Sequence, residues 1–431
     1  MSSNLQTLLK ALDIPAEHAQ SESAETISRL DAWKGNTLRV LHDLSELLKN
    51  QEYSVSEQAD IIAASASFDG EDSWITPESQ DLATEILANF SEPSFELMVQ
   101  LLETNINNLF RSSPHPSLNI STGRKLDRPA GGSMGGIDFY EAQAWKKYPQ
   151  AFNIMFWCLC HIQAYEYDRL WYLVIPPVMT FLDDYQVSYK LKGVRLVTEL
   201  LEHAPREILK RTGVDGLLLT SLNTCLAQLD DLESPKLIKA TVSASLSVTL
   251  LTTTPGSVVQ FNQLCALLGE RIIGTIWLYS YDKPGVVQAS VDALSPLLKA
   301  LGLGCSRYLK ALIPQLVHPL VPVPFKPMSE ELQICSLKAL TVVIYECSCR
   351  MSQWKGTIID GISRCWVHLA DSPFVDPSRM ELQRQLRSAC EALASACPTV
   401  VEDEFRRLVA VDHNLFQSLV GGSGKTLPGI V

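Results

Sequence analysis

Positive charge is scarce in this sequence. Across 431 residues, 36 lysines and arginines stand against 48 aspartates and glutamates, a net charge of −12. Gripping a phosphate backbone takes clustered Lys and Arg, so nucleic-acid binding is not expected. The polybasic patch of a membrane-surface binder is missing too. No stretch reaches the roughly 18 uninterrupted apolar residues of a membrane-crossing helix, so no membrane span is expected. The opening Met1-Ser-Ser-Asn-Leu-Gln6 lacks the basic-then-apolar pattern of a secretory leader. Paired cysteine spacing is also lacking. The eleven cysteines are odd in number and lie mostly inside apolar helical patterns, which predicts core thiols in a reducing compartment, cytoplasm and nucleus. Asn119-Ile-Ser121 matches a glycosylation sequon, but without an export signal it reads as chance.

Apolar residues, at 46% against 19% charged, are plentiful enough to bury a large core. Residues 1–110 read as helices with short connections. Leu38, Leu41, Leu44, Leu47 and Leu48 share one helical face, and Pro77 opens a helix after Thr76. Residues 111–137 are rich in Gly, Pro and Ser. They read as a linker, or as a loop draped over the surface, because they offer little apolar area to offset the entropy of ordering. From residue 138 to about 420 the pattern is helical throughout, and 421–431 reads as a flexible tail.

The helical half repeats. Segments starting at Val187, Leu237, Val287, Leu332 and Leu382 lie 50, 50, 45 and 50 residues apart. In each, offsets 0, 4, 7, 11 and 14 trace one helical stripe, and 21 of these 25 positions are apolar. Pro235, Pro284 and Pro377 follow Ser or Asp-bearing turns, and Ser329-Glu330-Glu331 opens the fourth stripe; these are helix starts. Another apolar helix precedes each stripe, at about 168–182, 214–229, 258–280, 305–319 and 354–369. A helix pair cannot bury its stripe alone, whereas stacked pairs bury a continuous core. The predicted fold is all-α, a HEAT/armadillo-like α-solenoid of stacked helical hairpins.

Motifs that suggest chemistry lack their context. Gly131-Gly-Ser133-Met-Gly135 fits a nucleophile elbow, but no strand delivers Ser133, so a serine hydrolase is only a remote alternative. Gly421-Gly-Ser-Gly-Lys-Thr426 resembles a phosphate loop without its first glycine, its strand or its helix. Cys158-Leu-Cys160-His161 and Cys347-Ser-Cys349 place paired thiols about 200° apart on a helix, which does not make a zinc site. Asp183-Asp184 reads as a capping turn before it reads as an acid/base pair. The dense aromatic group from Phe152 to Tyr172 reads mainly as core, with an exposed share able to anchor a partner. No catalytic residue, cofactor, metal or small-molecule substrate is expected.

The most distinctive stretch is Val174-Ile-Pro-Pro-Val-Met-Thr-Phe-Leu-Asp-Asp-Tyr-Gln-Val-Ser-Tyr-Lys-Leu-Lys-Gly193, followed by Leu209-Lys-Arg-Thr-Gly213. With Gly123-Arg-Lys125, Asp282-Lys-Pro-Gly-Val-Val287, Trp354-Lys-Gly-Thr-Ile-Ile-Asp360 and Arg364-Cys-Trp366, it resembles the Tel-two-interacting protein two family over roughly 120–400. The resemblance implies a non-enzymatic scaffold subunit of the TTT co-chaperone complex. It also implies binding to the two other TTT subunits, both large helical-repeat proteins. Through the ninety-kilodalton heat-shock chaperone machinery, that complex supports maturation of phosphatidylinositol-3-kinase-related kinases, TOR and the DNA-damage checkpoint kinases among them. The candidate partner-binding or family-motif residues are Asp183, Asp184, Lys190, Gly193, Arg211, Thr212 and Gly213, with Trp354, Lys355, Arg364 and Trp366. Lys190 and Arg211 are expected to be the exposed ones. Gly193 has a rival role in close helix packing, and the two aspartates in capping. Another helical-repeat adaptor, such as a transport receptor, is the alternative.

Overall fold

The structure, a computed structural model, describes residues 3–15, 24–49, 51–112, 114–131, 139–140, 143–323, 329–371 and 377–421. The chain forms two compact units, Met1–Leu222 and Asn223–Val431. Both are helical, and among the described residues the sole β feature is an isolated bridge between Leu118 and Lys125.

Unit 1 opens with α1 (Ser3–Ala11), α2 (Ala24–Leu48), α3 (Val55–Ala66), α4 (Pro77–Leu87) and α5 (Phe95–Leu101). Past α5 the chain stays helical, in wider turns, to Phe110. Local chemistry sets the starts. Ser54 and Glu57 cap α3 reciprocally, Glu57 N donating to Ser54 Oγ and Ser54 N to the Glu57 carboxylate. Thr76 caps α4, with Pro77 at the first helical position, as the sequence predicts. Leu5, Leu12, Leu41, Leu44, Ile61 and Ile86 form the core of these first helices. The unit continues with α6 (Ala151–His161), α7 (Tyr167–Leu182), α8 (Val187–His203) and α9 (Arg206–Thr212). The boundary between units falls within α10 (Val214–Cys225). The described part of 111–137 lies inside unit 1, on its helices; the division of the chain falls at 222/223 instead.

Unit 2 contains α11 (Ser234–Thr252), α12 (Val258–Cys265), α13 (Pro284–Asp292), α14 (Leu294–Leu301), α15 (Leu309–Val317), α16 (Glu330–Glu346), α17 (Lys355–Ala370), α18 (Pro377–Ala396), α19 (Arg406–Val411) and α20 (His413–Val420). α12 runs on through wide turns to Trp277. The stripe-bearing helices stack in sequence order: α11 on α13, α13 on α16, α16 on α18. One apolar cluster runs from Leu226 to Val420. Of the 25 stripe positions in the two units, 19 are buried. This is the α-solenoid architecture of stacked hairpins.

One stripe departs from expectation. The periodicity predicts one helix for the third, but Pro284–Asp292 and the helical stretch Leu294–Leu320 meet at a 44° bend. Pro296 supplies no N–H, and its ring crowds the carbonyl of Asp292 four residues back. Val287, Val291, Leu294, Leu298 and Leu301 all remain buried across the bend. No single described helix is long and apolar enough to cross a membrane. The bent pair Pro284–Asp292 and Leu294–Leu320 meets that test by length and composition alone.

Candidate functional site

The family-like block converges on the turn between α7 and α8. Asp183 closes α7. Its carboxylate oxygen Oδ2 accepts from the Ser221 hydroxyl at 3.0 Å and lies 2.9 Å from His115 Nε2. A carboxylate only accepts, so Nε2 carries the proton and His115 Nδ1 accepts from Ser117 N at 3.3 Å. The Tyr140 hydroxyl donates to Asp183 O at 3.1 Å. Burial, then Asp183 and Asp184, raise the Tyr140 pKa, so the phenol keeps its proton. Asp184 is fully buried. It accepts from Gln186 N at 2.8 Å and pairs with Lys146 Nζ at 2.9 Å. That ammonium also lies over the Tyr185 and Tyr189 rings, 4.2 and 4.7 Å from their centroids.

Lys190 overturns its expected exposure. It is buried, and Nζ donates to Leu182 O at 3.4 Å, where a cation suits the last turn of α7. The cause is the close crossing of α7 and α8. A Cβ on Gly193 would sit 2.3 Å from Leu182 N, so only glycine lets the two backbones approach this far. Lys190, one turn earlier on α8, is trapped in the same seam.

A strap, residues 114–131, binds this turn to the rest of unit 1. His115 anchors one end on Asp183. Gly123, at φ +63°, accepts from Trp171 Nε1 at 3.1 Å, and a Cβ there would come within 2.8 Å of both Trp171 and Ile175. Lys125 N donates to Thr212 O at 3.0 Å. Thr212 is buried, its hydroxyl donating to Ile208 O at 2.7 Å, and Gly213 ends α9 in the left-handed conformation at φ +71°. Arg211 faces solvent, paired with Asp168 across a half-exposed surface. Beside the strap lies a cavity of about 350 Å³ whose lining includes Phe110, Arg111, His115, Leu118, Ile120 and Pro176. Ile120 is 59% exposed at its rim. The cavity suits an aliphatic or aromatic side chain, with Arg111 able to receive an acceptor.

The second group of candidate residues lies in unit 2. Trp354 is half-buried against the core at the start of α17. Lys355 bonds Asp403 at 2.7 Å and Glu404 at 2.9 Å, which raises its pKa. Trp366 is buried, donates Nε1–H to Leu415 O at 3.0 Å, and carries the Arg387 guanidinium over its ring. Only Arg364 of this group stands in solvent, paired with Asp360 one turn back at 2.9 Å.

The structure therefore gathers Asp183, Asp184, Lys190 and Gly193 at one turn and ties Thr212 and Gly213 to it through the strap. Sequence reasoning missed His115, Tyr140, Lys146 and Ser221, which complete the network. Three of the four come from irregular or short segments that carry no period; the aromatic neighbours of Lys146 are the one hint. Ser133 and residues 422–431 lie outside the described residues. Cys158 turns into the core while Cys160 turns out, as do Cys347 and Cys349. Of the aromatic group, Phe152, Trp157, Tyr167 and Trp171 are buried, and Tyr165 is the exposed one at 80%.

Comparison with known proteins places this geometry. The Tti2 family matches residues 61–328, more than half of the chain, including the strap and the whole of 183–213. Among solved structures, importin beta is similar at 10% identity with a TM-score of 0.52, over 97% of this chain and 49% of that one. That likeness shows the helical-repeat fold alone, and the chain spans about half of importin beta's length. An engineered protein aligns over 98% of both chains at 15% identity and TM-score 0.40. A designed armadillo repeat protein aligns over 57% of this chain and 93% of that one at 16% identity and TM-score 0.33.

Proposed function

Since the chain belongs to the Tti2 family, we propose that it serves as a non-enzymatic scaffold subunit of the TTT co-chaperone complex. In this reading it binds the two other TTT subunits, large helical-repeat proteins, in cytoplasm and nucleus. The assembly then works with the ninety-kilodalton heat-shock chaperone to mature and stabilise phosphatidylinositol-3-kinase-related kinases. The family match over 61–328 is the observation that carries the proposal.

The chemistry of the site supports binding over catalysis. Asp183 accepts from His115 and Ser221 and Asp184 pairs with Lys146 and accepts from Gln186 N, so both carboxylates hold backbone and loop in place. Burial pushes the thiols of Cys305, Cys335, Cys365 and Cys390 up to about 12. They stay protonated at neutral pH and are poor nucleophiles. The surface this reading offers a partner is the strap side of unit 1, where Arg111 and Ile120 edge the cavity and Arg211 is exposed nearby on the end of α9. Anchors of this type, an arginine and an apolar side chain beside a cavity, dominate interface energetics.

Affinity purification of the tagged full-length chain from native extract, read by mass spectrometry, tests the assignment. Two large helical-repeat proteins should co-purify, with the kinases and the chaperone in smaller amounts. Recovery of neither large subunit overturns it; capture that depends on a small GTPase would point to a transport receptor.

A further inference from the structure

The block Asp282-Lys-Pro-Gly-Val-Val287 lies in unit 2, at the turn that leads into α13. The helix before it is wound wide. Its buried positions Leu264, Leu268, Ile272, Ile276 and Ser280 recur every four residues, slower than the 3.6 of an α-helix. The Thr275 hydroxyl donates to Glu270 O, five residues back, at 3.0 Å. An α-helix that turned Ile272 and Ile276 inward would turn Tyr279 inward as well, at i+7 and i+3. The wide turns send it outward instead, 62% exposed. Ser280 is fully buried, and Tyr281 beyond it is 83% exposed. Wide-turn segments are rare and occur frequently at functional sites.

This turn is tied down. Trp277, buried at the end of the wide helix, donates Nε1–H to Ser290 Oγ at 2.9 Å and so fastens it to α13. Lys283 pairs with Asp230, and a Cβ on Gly285 would lie 3.4 Å from Pro235. The turn before α13 therefore packs beside the turn before α11. Asp231 folds that second turn, accepting from Glu233 N at 2.8 Å, and its tip is Leu232, wholly exposed. Two tyrosines and a leucine thus stand in solvent on adjacent turns whose backbones are already fixed, which lowers the ordering cost of binding. Tyrosine is enriched among the residues that dominate interface energy. Neither tyrosine ring meets a cation or another ring among the described residues.

Charge selects the occupant. Asp230, Asp231, Glu233 and Asp282 flank the three side chains, against Lys236 and the Lys283 already paired with Asp230. A second copy of this chain would set carboxylates against carboxylates, and anionic headgroups or phosphates are repelled in the same way. A guanidinium is drawn both to the carboxylates and to the faces of the tyrosine rings. An aliphatic side chain beside it would cover Leu232.

We propose that Leu232, Tyr279 and Tyr281, flanked by Asp231, Glu233 and Asp282, form a docking ridge for a cationic amphipathic segment of a partner protein, with arginines beside aliphatic residues. The tyrosine rings and carboxylates take the guanidinium groups, and Leu232 takes the aliphatic side chain. The ridge belongs to unit 2 and does not rest on the family reading.

The probe is a fluorescent synthetic helical peptide of arginine and leucine, titrated with the full-length chain and followed by anisotropy at physiological salt. It should bind saturably, one peptide per chain. A photo-reactive leucine in the peptide should cross-link within residues 230–283. Leu232→Ser/Tyr281→Ser should weaken binding by at least roughly tenfold. Both side chains are exposed, so melting should not move. Asp231→Asn/Asp282→Asn keeps the acceptor for Glu233 N; it should weaken binding by roughly threefold and flatten its salt dependence, and it decides the matter if the first variant melts early. Leu303→Ser, at an exposed leucine after α14, should change nothing. Absence of binding, wild-type affinity in both double variants, or cross-links confined to other residues would overturn the proposal. So would equally tight binding of a glutamate–leucine peptide or of an arginine–serine peptide.

Discussion

Residues 1–222 carry 30 acidic and 18 basic side chains, whereas residues 223–431 carry 18 of each. All of the net charge of −12 therefore belongs to unit 1, and unit 2 is neutral. Within unit 1, residues 50–110 hold twelve carboxylates and no Lys or Arg at all. Part of their counter-charge arrives from α8, where Lys192 reaches Asp72 at 2.9 Å and Arg195 reaches Glu71 at 3.3 Å. The interiors differ in the same sense. Unit 1 buries ionisable side chains, among them His115, Glu166, Asp184 and Lys190. The buried polar residues described in unit 2 are hydroxyls and amides, such as Thr241, Ser290 and Gln333, beside a row of thiols. Both units carry ion pairs between distant segments, Lys355 with Asp403 in unit 2 among them, but unit 1 alone buries carboxylate, ammonium and imidazole side chains among the described residues, and the family-like block sits on that buried network.

This contrast can be broken by experiment, with hydrogen exchange reporting each unit separately. The largest effect is expected from Asp184→Ala, which strands Lys146 and removes the acceptor of Gln186 N. It should destabilise unit 1 by about 3–5 kcal/mol and leave exchange in unit 2 unchanged. Equal loss in both units would dissolve the distinction. Gly193→Ala comes next, because its methyl meets backbone rather than a flexible side chain. A loss of about 2–3 kcal/mol is expected in chemical denaturation, and wild-type stability would show that the two helices separate freely.

Alkaline pH sharpens the comparison from the other side. In unit 2, Cys305, Cys335, Cys365 and Cys390 are raised from 9.0 to about 12 and Cys347 to about 11, first by burial. A raised folded pKa means that the unfolded chain loses its protons first. Stability is therefore intact below the ordinary thiol value and falls as pH climbs from there through the folded values. Unit 1 holds two such raised thiols, Cys158 and Cys160, against five in unit 2, so under reductant unit 2 should lose protection more steeply as pH climbs from about 9. The smallest effect is expected from Arg211→Ala. Its exposed pair with Asp168 contributes under about 1 kcal/mol, so melting should hardly move. Capture of the partner subunits should fall; unchanged capture would remove Arg211 from the binding surface.

Much of unit 2 was legible in the sequence because its stabilising rule is periodic. Pro235, Pro284 and Ser329 start helices where their chemistry says they should, and the stripe positions face inward. The bend at Ala293 was missed because apolar spacing continues unbroken across it. Less of the site was legible. Gly193 and Gly213 were recognisable as special, but Lys190 looked like a surface lysine, since nothing local announces that glycine has drawn two helices over its stem. His115, Ser221 and Lys146 meet Asp183 and Asp184 from 38 to 68 residues away, outside the reach of any local pattern.

The strap also sets an order of events. Lys125 waits for Thr212, and His115 shares its aspartate with Ser221, so the clasp cannot close until synthesis has passed residue 221. During that interval more than half of the chain emerges with its fastening undone. Its first hundred residues are then dominated by mutually repelling carboxylates, a composition that keeps a nascent segment soluble and apart from its neighbours while its late-arriving counterparts are still being made.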